Sequence, residues 1–290
     1  MPLLDLAEIR RLTITAIFSD DLLAEHLVLK GGNALSLIYG ISTRTSLDLD
    51  FSMSSDFPDV AEARERIFQA ISDRFDAMGF VVFDEKLEPK PRLSGEDTKP
   101  WWGGYELRFK IIEREKYEVL KRRPDKLRID AMVIGMNQER TFTADLSKFE
   151  YTQGKVQHEL NYYIIYVYTA EMIVIEKLRA ICQQMPEYQH RGHPSPRARD
   201  FHDIHSTIAK FGINLASEDN LELERHIFAA KQVPLSLLPK IREYREFHRP
   251  DWPSVRDSSA EAIKEFDFYF DFVLEQVQRL KSLWIKDAPG

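Results

Sequence analysis

Residues 30–51, with the sequence KGGNALSLIYGISTRTSLDLDF, constrain the fold more than any other part of this chain. An apolar run that ends in the pair Gly31-Gly32 predicts a short strand entering a tight turn, because glycine accepts backbone conformations that other residues avoid. The segment 33–40 has helical apolar spacing and ends in a glycine. The segment 47–53 alternates apolar and acidic residues, which is typical of a half-buried strand. The pattern therefore predicts a strand–turn–helix–strand unit with acids on its second strand.

The acids of this unit suit a particular chemistry. Asp48 and Asp50 lie two positions apart, so both side chains project from one face of the predicted strand. Two carboxylates so placed can bind divalent cations that prefer oxygen ligands, as Mg²⁺ does. Asp130 lies in the apolar run 126–135, which is predicted to be a neighbouring strand that completes a cluster of three carboxylates. Such a cluster with bound metal can bind a leaving pyrophosphate and activate an attacking hydroxyl.

The residues around the glycine pair and the acids can serve the same reaction. The turn lets backbone N–H groups approach a triphosphate, and a helix that begins there favours an anion. Arg44 and Ser46 lead into the acidic strand, and Arg44 either holds a phosphate or neutralises the acids. Each feature alone has an ordinary explanation as a turn, a solvated strand edge or a structural aspartate. Their combination in this order predicts metal-dependent nucleotidyl transfer.

The segment also resembles the opening motif of the AbiEii/AbiGii-type nucleotidyltransferases, the toxins of bacterial type IV toxin–antitoxin and phage-abortive systems. Asn33 stands where that family often has Ser or Thr. The resemblance implies a nucleotide-binding set formed by Lys30, Gly31, Gly32, Asn33, Arg44 and Ser46. The matching motif positions are Lys30, Gly31, Gly32, Asn33, Ala34, Leu35, Tyr39, Gly40, Arg44, Ser46, Asp48, Leu49, Asp50 and Phe51.

A second part of the resemblance lies further along the chain. The sequences EKLRAI (176–181) and RARDFHDIH (197–205) are similar to two helical motifs of the same family. The resemblance implies that Lys177 binds the nucleotide and that Asp200 lies near the reaction centre. Asp203 lies one helical turn after Asp200. Gln183 and Gln184 stand where an arginine is common, and Ile204 stands where leucine is usual.

The order of the predicted elements gives the fold class. The interpretation is an α+β protein: a polymerase-β-like nucleotidyltransferase domain with a mixed sheet over 1–168, then a helical domain over 169–290 that completes the nucleotide and acceptor site. Thr169 is predicted to cap the helix 170–185. The other predicted elements are a helix over 59–78 and strands over 80–87, 105–112, 126–135, 149–153 and 162–168.

Charge and composition limit the class of protein. The net charge of −7 argues against a protein that coats nucleic acid. Two basic clusters either hold a polyanionic acceptor or form solvated faces, and the sequence favours neither. They are Lys121, Arg122, Arg123, Lys126 and Arg128, and then Lys240, Arg242, Arg245 and Arg249.

The remaining composition predicts a cytoplasmic protein. The single cysteine, Cys182, is expected to be a buried helical thiol and excludes an internal disulfide or a Cys-rich zinc site. Apolar runs are far shorter than the ~20 residues of a membrane span, and the N-terminal residues have no apolar signal segment. His202 and His205 lie three apart on a predicted helix but lack a zinc-site spacing.

These observations lead to one main hypothesis and several alternatives. The chain is expected to use Mg²⁺, or Mn²⁺ in its place, to transfer NMP from an NTP to an acceptor hydroxyl, with the metal on Asp48, Asp50 and Asp130. The resemblance further implies that the chain is a toxin that acts on RNA, such as the tRNA 3′ end, and that it has a cognate antitoxin. The alternatives are a nucleotidyltransferase acting on a small molecule or a protein, and a nucleotide-binding protein without catalysis.

Overall fold

The chain forms two compact units. The structure is a computed structural model, and it describes residues 4–41, 49–91, 99, 101–134, 138–190, 193–259 and 262–285. One unit comprises Met1–Asn33 and Ser46–Val167, and the other comprises Ala34–Thr45 and Tyr168–Gly290. Among the described residues, the first unit contains all of the sheet and the second is helical.

The first unit is built on a seven-stranded mixed sheet with the strand order β3-β4-β5-β2-β1-β7-β6. The pairs β2–β5 and β1–β7 are parallel, and the other neighbours are antiparallel. The α+β class with a mixed sheet is therefore confirmed. The strands are β1 (Val28–Lys30), β2 (Leu49–Ser52), β3 (Phe80–Lys90), β4 (Gly104–Glu113), β5 (Phe142–Ser147), β6 (Val156–Leu160) and β7 (Tyr163–Val167).

Helices of the first unit follow the apolar spacing of the sequence. The longest is α4, where the Asp59 side chain accepts hydrogen bonds from the N–H groups of Ala61 and Glu62 and so caps the first turn. Its apolar residues at helical spacing, from Ala63 to Phe75, are buried against the sheet. The helices are α1 (Leu6–Ile17), α2 (Asp21–His26), α4 (Val60–Asp76), α5 (Arg114–Leu120) and α6 (Pro124–Ile129), while α3 (Gly31–Leu37) begins in this unit and belongs to the other from Ala34 onward.

Two strand predictions in this unit are wrong. Residues 126–129 of the predicted strand 126–135 belong to helix α6, because Pro124 occupies the first position of this helix with a backbone angle already suited to it. Its alternating apolar residues imitate a strand, yet Leu127 is buried while Ile129 is exposed. The range 149–153 contains no strand, and Phe149 has a positive φ of 58° that interrupts extended backbone. The strand between these two ranges, β5, is not among the predicted strands.

The second unit is a group of helices around an aromatic core. Thr169 caps α7 as predicted, and its hydroxyl accepts a hydrogen bond from the N–H of Met172 at 3.2 Å. Phe201 of α8 stacks on Phe270 of α12 with 5.0 Å between ring centres. The α-helices are α7 (Ala170–Cys182), α8 (Ala198–Phe211), α9 (Glu218–Ala230), α10 (Arg245–His248), α11 (Trp252–Ser258), α12 (Phe266–Arg279) and α13 (Lys281–Ile285), with 3₁₀ turns over Leu235–Tyr244 and Arg249–Asp251.

None of the described helices has both the length and the apolar character that crossing a bilayer requires.

Candidate active site

Two aspartates meet at the centre of the sheet. Asp50 of β2 is the direct register partner of Asp145 of β5, and the two strands run parallel. Register partners on neighbouring strands point to the same face, about 4.8 Å apart. Both residues are half-buried. The sheet therefore presents a pair of carboxylates on one face, each with access to solvent.

A cation already lies at one of these carboxylates. The Lys90 ammonium at the end of β3 donates to both oxygens of Asp145, at 2.8 and 2.7 Å. About half of the Lys90 side chain and about a third of the Asp145 side chain are exposed, at 53% and 35%. An exposed ion pair of this kind contributes little stability, so an incoming cation can replace the ammonium.

The glycine turn approaches the same carboxylates. Gly31 directly follows β1 and has a positive φ of 68°. A Cβ atom at this position would lie 2.5 Å from Oδ2 of Asp50, closer than real contacts allow. Position 31 therefore needs glycine both for its backbone angle and for the space it leaves at the Asp50 carboxylate. The predicted strand, turn and helix are all present here.

Asp130 does not occupy its predicted place. It is exposed and caps the C-terminus of α6, so the prediction of a strand position beside Asp50 is wrong. The neighbouring strand is β5, and its aspartate is Asp145. The signal for Asp145 is present in the sequence, because Phe142, Ala144 and Leu146 are buried and alternate with half-buried residues.

The other predicted residues of this segment fall into two groups. Lys30 and Asn33 are buried, and the Lys30 ammonium lies 3.6 Å from Oε1 of the buried Glu150. Gly32 follows Gly31 in the first turn of α3. Three predicted residues lie outside the described part of the chain, namely Arg44, Ser46 and Asp48.

The second unit holds another pair of aspartates in a different environment. The Lys177 ammonium of α7 lies 2.9 Å from Oδ1 of Asp200 and 2.7 Å from Oδ2 of Asp203, both on α8. The two aspartate side chains are only 5% and 3% exposed. Arg197 makes a further ion pair with Asp200. The lysine and aspartates of the two helical motifs therefore form one buried network.

Burial and charge act in opposite directions on this network. Burial alone would lower the pKa of Lys177, but Asp200 and Asp203 outweigh it and raise that pKa above its ordinary range. Burial alone would raise the pKa of Asp203, but Lys177 and His202 lower it to about 2. The pKa of Asp200 also lies below its usual value, since Arg197 and Lys177 outweigh burial. All three groups are charged at neutral pH.

A histidine supports the start of α8. The backbone N–H of Arg197 donates to Nδ1 of His248 at 3.0 Å. Burial lowers the pKa of His248 to about 4, so the ring is neutral and carries its proton on Nε2. His202 packs against Tyr269 and Trp252, which agrees with a packing role for this histidine.

Other chemistries find less support in the described residues. Within them, no group of three or more His, Cys, Asp or Glu side chains is placed to hold a metal ion, and Asp48 lies outside these residues. Cys182 is buried as predicted, and burial raises the pKa of its thiol, which disfavours a nucleophilic thiolate.

Comparison with solved structures gives distant likenesses. A protein from H. pylori described as a candidate nucleotidyltransferase shares 18% identity, over 98% of this chain and 96% of its own, with a TM-score of 0.48. An antigenic nucleotidyltransferase-like protein from Paracoccidioides brasiliensis shares 16% identity, over 87% and 95% of the two chains, with a TM-score of 0.33. Among curated proteins, none matches this sequence.

Comparison with protein families is more informative. The family model described as "Nucleotidyl transferase AbiEii toxin, Type IV TA system" matches residues 13–272, which cover most of both units and include every motif discussed above. This chain belongs to the AbiEii family of type IV toxin–antitoxin systems and is a nucleotidyltransferase.

Proposed function

We propose that this enzyme transfers NMP from an NTP to an acceptor hydroxyl, with Mg²⁺ or Mn²⁺ held by Asp48, Asp50 and Asp145. The observation that carries the proposal is the register of Asp50 with Asp145 on parallel neighbouring strands. Asp145 replaces Asp130 in the proposed set because Asp130 lies at the end of a helix. Asp48 is retained from the sequence, where it precedes Asp50 by two positions.

The donor set fits a hard divalent cation. Carboxylate oxygens are the ligands that Mg²⁺ prefers, and two aspartates on neighbouring strands present several of them to one place. The Lys90 ammonium at Asp145 indicates that a positive charge is favourable there. When bound, the metal supplies charge neutralisation at the triphosphate and lowers the pKa of the attacking hydroxyl.

The residues of the chain itself orient the reactants. The backbone turn at Gly31 leaves space beside the Asp50 carboxylate, where a side chain would block the approach of a phosphate. The buried pair of Lys30 and Glu150 holds the end of β1 from which that turn starts. Catalysis would then depend on positioning the hydroxyl in line with the bond to the leaving pyrophosphate.

The acceptor and partners are proposed on family membership. Membership of a toxin family of type IV toxin–antitoxin systems supports a cognate antitoxin, and we propose an RNA such as the tRNA 3′ end as the acceptor. The function of Lys177 in nucleotide binding, of Asp200 at the reaction centre and of residues 169–290 in completing the site remain predictions. The buried network favours a positioning function for Asp200, since its carboxylate already binds Lys177 and Arg197.

Radiolabel transfer tests the proposal. The purified enzyme is incubated with each α-³²P-labelled NTP, Mg²⁺ and total bacterial RNA, in parallel with Asp50→Asn and with Asp130→Asn as the matched control. We expect one NTP to label RNA of tRNA size, and Asp50→Asn to reduce labelling by about 10³-fold or more with an unchanged circular dichroism spectrum. Asp130→Asn should label RNA normally.

Other outcomes separate the alternatives. Label on a small molecule or on protein, still dependent on Asp50, would contradict the RNA acceptor and retain the metal chemistry. Nucleotide binding without transfer to any acceptor would contradict catalysis. Full activity of Asp50→Asn would overturn the assignment of the carboxylates.

A further inference from the structure

The segment 114–130, which comprises α5, α6 and the turn between them, is locally basic. It carries seven Lys or Arg against four Asp or Glu, in a chain with a net charge of −7. Three of its cations, Arg122, Arg123 and Lys126, are exposed. Their side chains make no hydrogen bond or ion pair with any residue that the structure describes. The positive charge at this turn is therefore available to a ligand.

The second basic cluster of the sequence differs in this respect. Lys240 pairs with Glu187 at 2.7 Å, Arg245 pairs with Asp267 at 2.6 Å, and Arg249 pairs with Asp267 at 2.9 Å. These cations are neutralised by the unit in which they lie. The two clusters look alike in the sequence but differ in the structure. Of the two, only the turn at 121–126 has several cations without a described counter-ion.

The turn lies beyond the end of the sheet at which β2 and β5 begin. Phe109 of β4 pairs with Phe142, the first residue of β5, and β4 continues to Glu113 before α5 starts. From Asp145 to Glu113 is about seven residues of strand, or roughly 23 Å at about 3.3 Å per residue. A strand of duplex DNA carries a phosphate about every 3.4 Å along the helix axis, so a nucleic acid that extends from the carboxylates to the turn presents several phosphates on the way.

The neighbouring groove is less suited to phosphate. It lies between α5 and α6 and has carboxylates of Glu115 and Asp130 in its lining, together with the exposed Val119 and Ile129. The lining also contains the cations of Lys116 and Arg140, so its charges balance and the groove itself offers no net positive charge to phosphate or to an acidic protein. A phosphate backbone needs only the cations of the turn, so the arrangement favours a nucleic acid.

We propose that Arg122, Arg123 and Lys126 bind the phosphate backbone of the RNA acceptor while the end of that RNA reaches Asp50 and Asp145. This inference rests on the proposed RNA acceptor. The contacts are to phosphates, so they supply affinity and orientation without base specificity.

Salt dependence of RNA binding tests the proposal without requiring catalysis. The affinity of the full chain for a fluorescein-labelled single-stranded RNA of about 20 nucleotides is measured by anisotropy between about 50 and about 300 mM NaCl. In the triple variant Arg122→Gln, Arg123→Gln, Lys126→Gln, the slope of log Kd plotted against log salt concentration should be shallower by about 2 than in the wild type. Its affinity at about 100 mM salt should fall about tenfold.

A second triple variant is the matched control, with the same change in net charge in the helical unit. Its cations, Arg225, Arg279 and Lys281, are exposed and make no hydrogen bond or ion pair with described residues. Its slope should equal that of the wild type. Equal losses of RNA affinity in both triple variants would indicate a diffuse charge effect and overturn the proposal. An unchanged slope in the first triple variant would also overturn it, and this is the result expected if the turn binds an acidic protein.

Parallel radiolabel assays separate this inference from the proposed function. If the wild type labels RNA and the first triple variant still binds RNA normally, the turn is not the binding surface and the proposed function is unaffected. A wild-type chain that neither binds nor labels RNA, but still labels another acceptor, would overturn both the RNA acceptor and this surface.

Discussion

Each unit of this enzyme contains a pair of aspartates that are close together, and the two pairs differ in what surrounds them. Asp50 and Asp145 on the sheet are half-buried, and the described cation at Asp145 is the exposed Lys90. Asp200 and Asp203 in the helical unit are buried and bound to Lys177. The first pair can exchange its cation for one from solution, whereas the second pair is compensated within the fold.

The difference teaches that burial and counter-charge decide what a carboxylate pair does. A buried charge must be paired, and its partner then cannot leave without a large cost in stability. An exposed pair makes a weak contribution to stability and keeps its affinity for other cations. We therefore propose metal binding at the sheet and a positioning function for the helical network. The first two predictions test that division, and the third tests the effect of burial on a carboxylate that has no described hydrogen-bond donor.

The largest predicted effect is on the helical network. Lys177→Met leaves Asp200 and Asp203 without their shared ammonium and should lower the free energy of unfolding by about 3–5 kcal/mol. Lys90→Met is the matched control on the sheet and should lower it by less than about 1 kcal/mol. Urea unfolding at neutral pH measures both values. Similar losses in the two variants would show that the two pairs do not differ as described.

A smaller effect is predicted at the glycine turn. Gly31→Ala should reduce the rate of NMP transfer by about 100-fold, because the new Cβ would displace the Asp50 carboxylate. Gly79→Ala is the control, since Gly79 also has a positive φ but no described atom lies within 4 Å of the place that its new Cβ would take. Both variants carry a backbone strain of about 1–2 kcal/mol. Equal rates of transfer in the two variants would contradict the importance of the space at Asp50.

The smallest predicted effect concerns a carboxylate that has neither solvent nor a described hydrogen-bond donor. Glu224 of α9 is fully buried, and neither oxygen accepts a hydrogen bond from a described residue. Burial raises its pKa to about 9, against an ordinary value of 4.5. The stability associated with the neutral form is full below about pH 4.5 and is lost as the pH rises through about 9.

Glu224→Met should therefore stabilise the protein by about 1–3 kcal/mol near pH 8. The difference from the wild type should grow as the pH rises from about 5 to about 9, because only the unfolded chain releases the Glu224 proton in that range. Urea unfolding at several pH values measures this dependence. A difference that does not change with pH would mean that Glu224 is not neutral in the folded protein.

Local patterns predict the parts of the site that depend on neighbouring residues. The glycine turn, the helix after it and the strand with Asp50 follow from residues close together in the sequence. The pairing of β2 with β5 joins residues about a hundred positions apart, and no local pattern encodes it. The alternating neighbours of Asp130 imitate a strand, and the helix there is signalled only by Pro124 at its first position.

The environment of the second aspartate pair is also beyond local patterns. The helical spacing of Asp200 and Asp203 places them on one face of α8, but it does not show that Lys177 of another helix neutralises both. The same holds for the two basic clusters, since their counter-ions come from distant positions such as Glu187 and Asp267. Residue type is visible in the sequence, whereas charge compensation requires the tertiary structure.

Metal binding by the sheet aspartates is the central claim, and a Mn²⁺ titration followed by electron paramagnetic resonance tests it most directly. The titration is carried out with a non-hydrolysable NTP analogue on the wild type, Asp145→Asn and Asp130→Asn. We predict that Asp145→Asn weakens Mn²⁺ binding by at least about tenfold, because the loss of even an indirect contact to a metal has an effect of that size. Asp130→Asn should bind Mn²⁺ as the wild type does. Normal Mn²⁺ binding by Asp145→Asn would contradict the account, and weakened binding by Asp130→Asn would point back to Asp130 as a metal ligand.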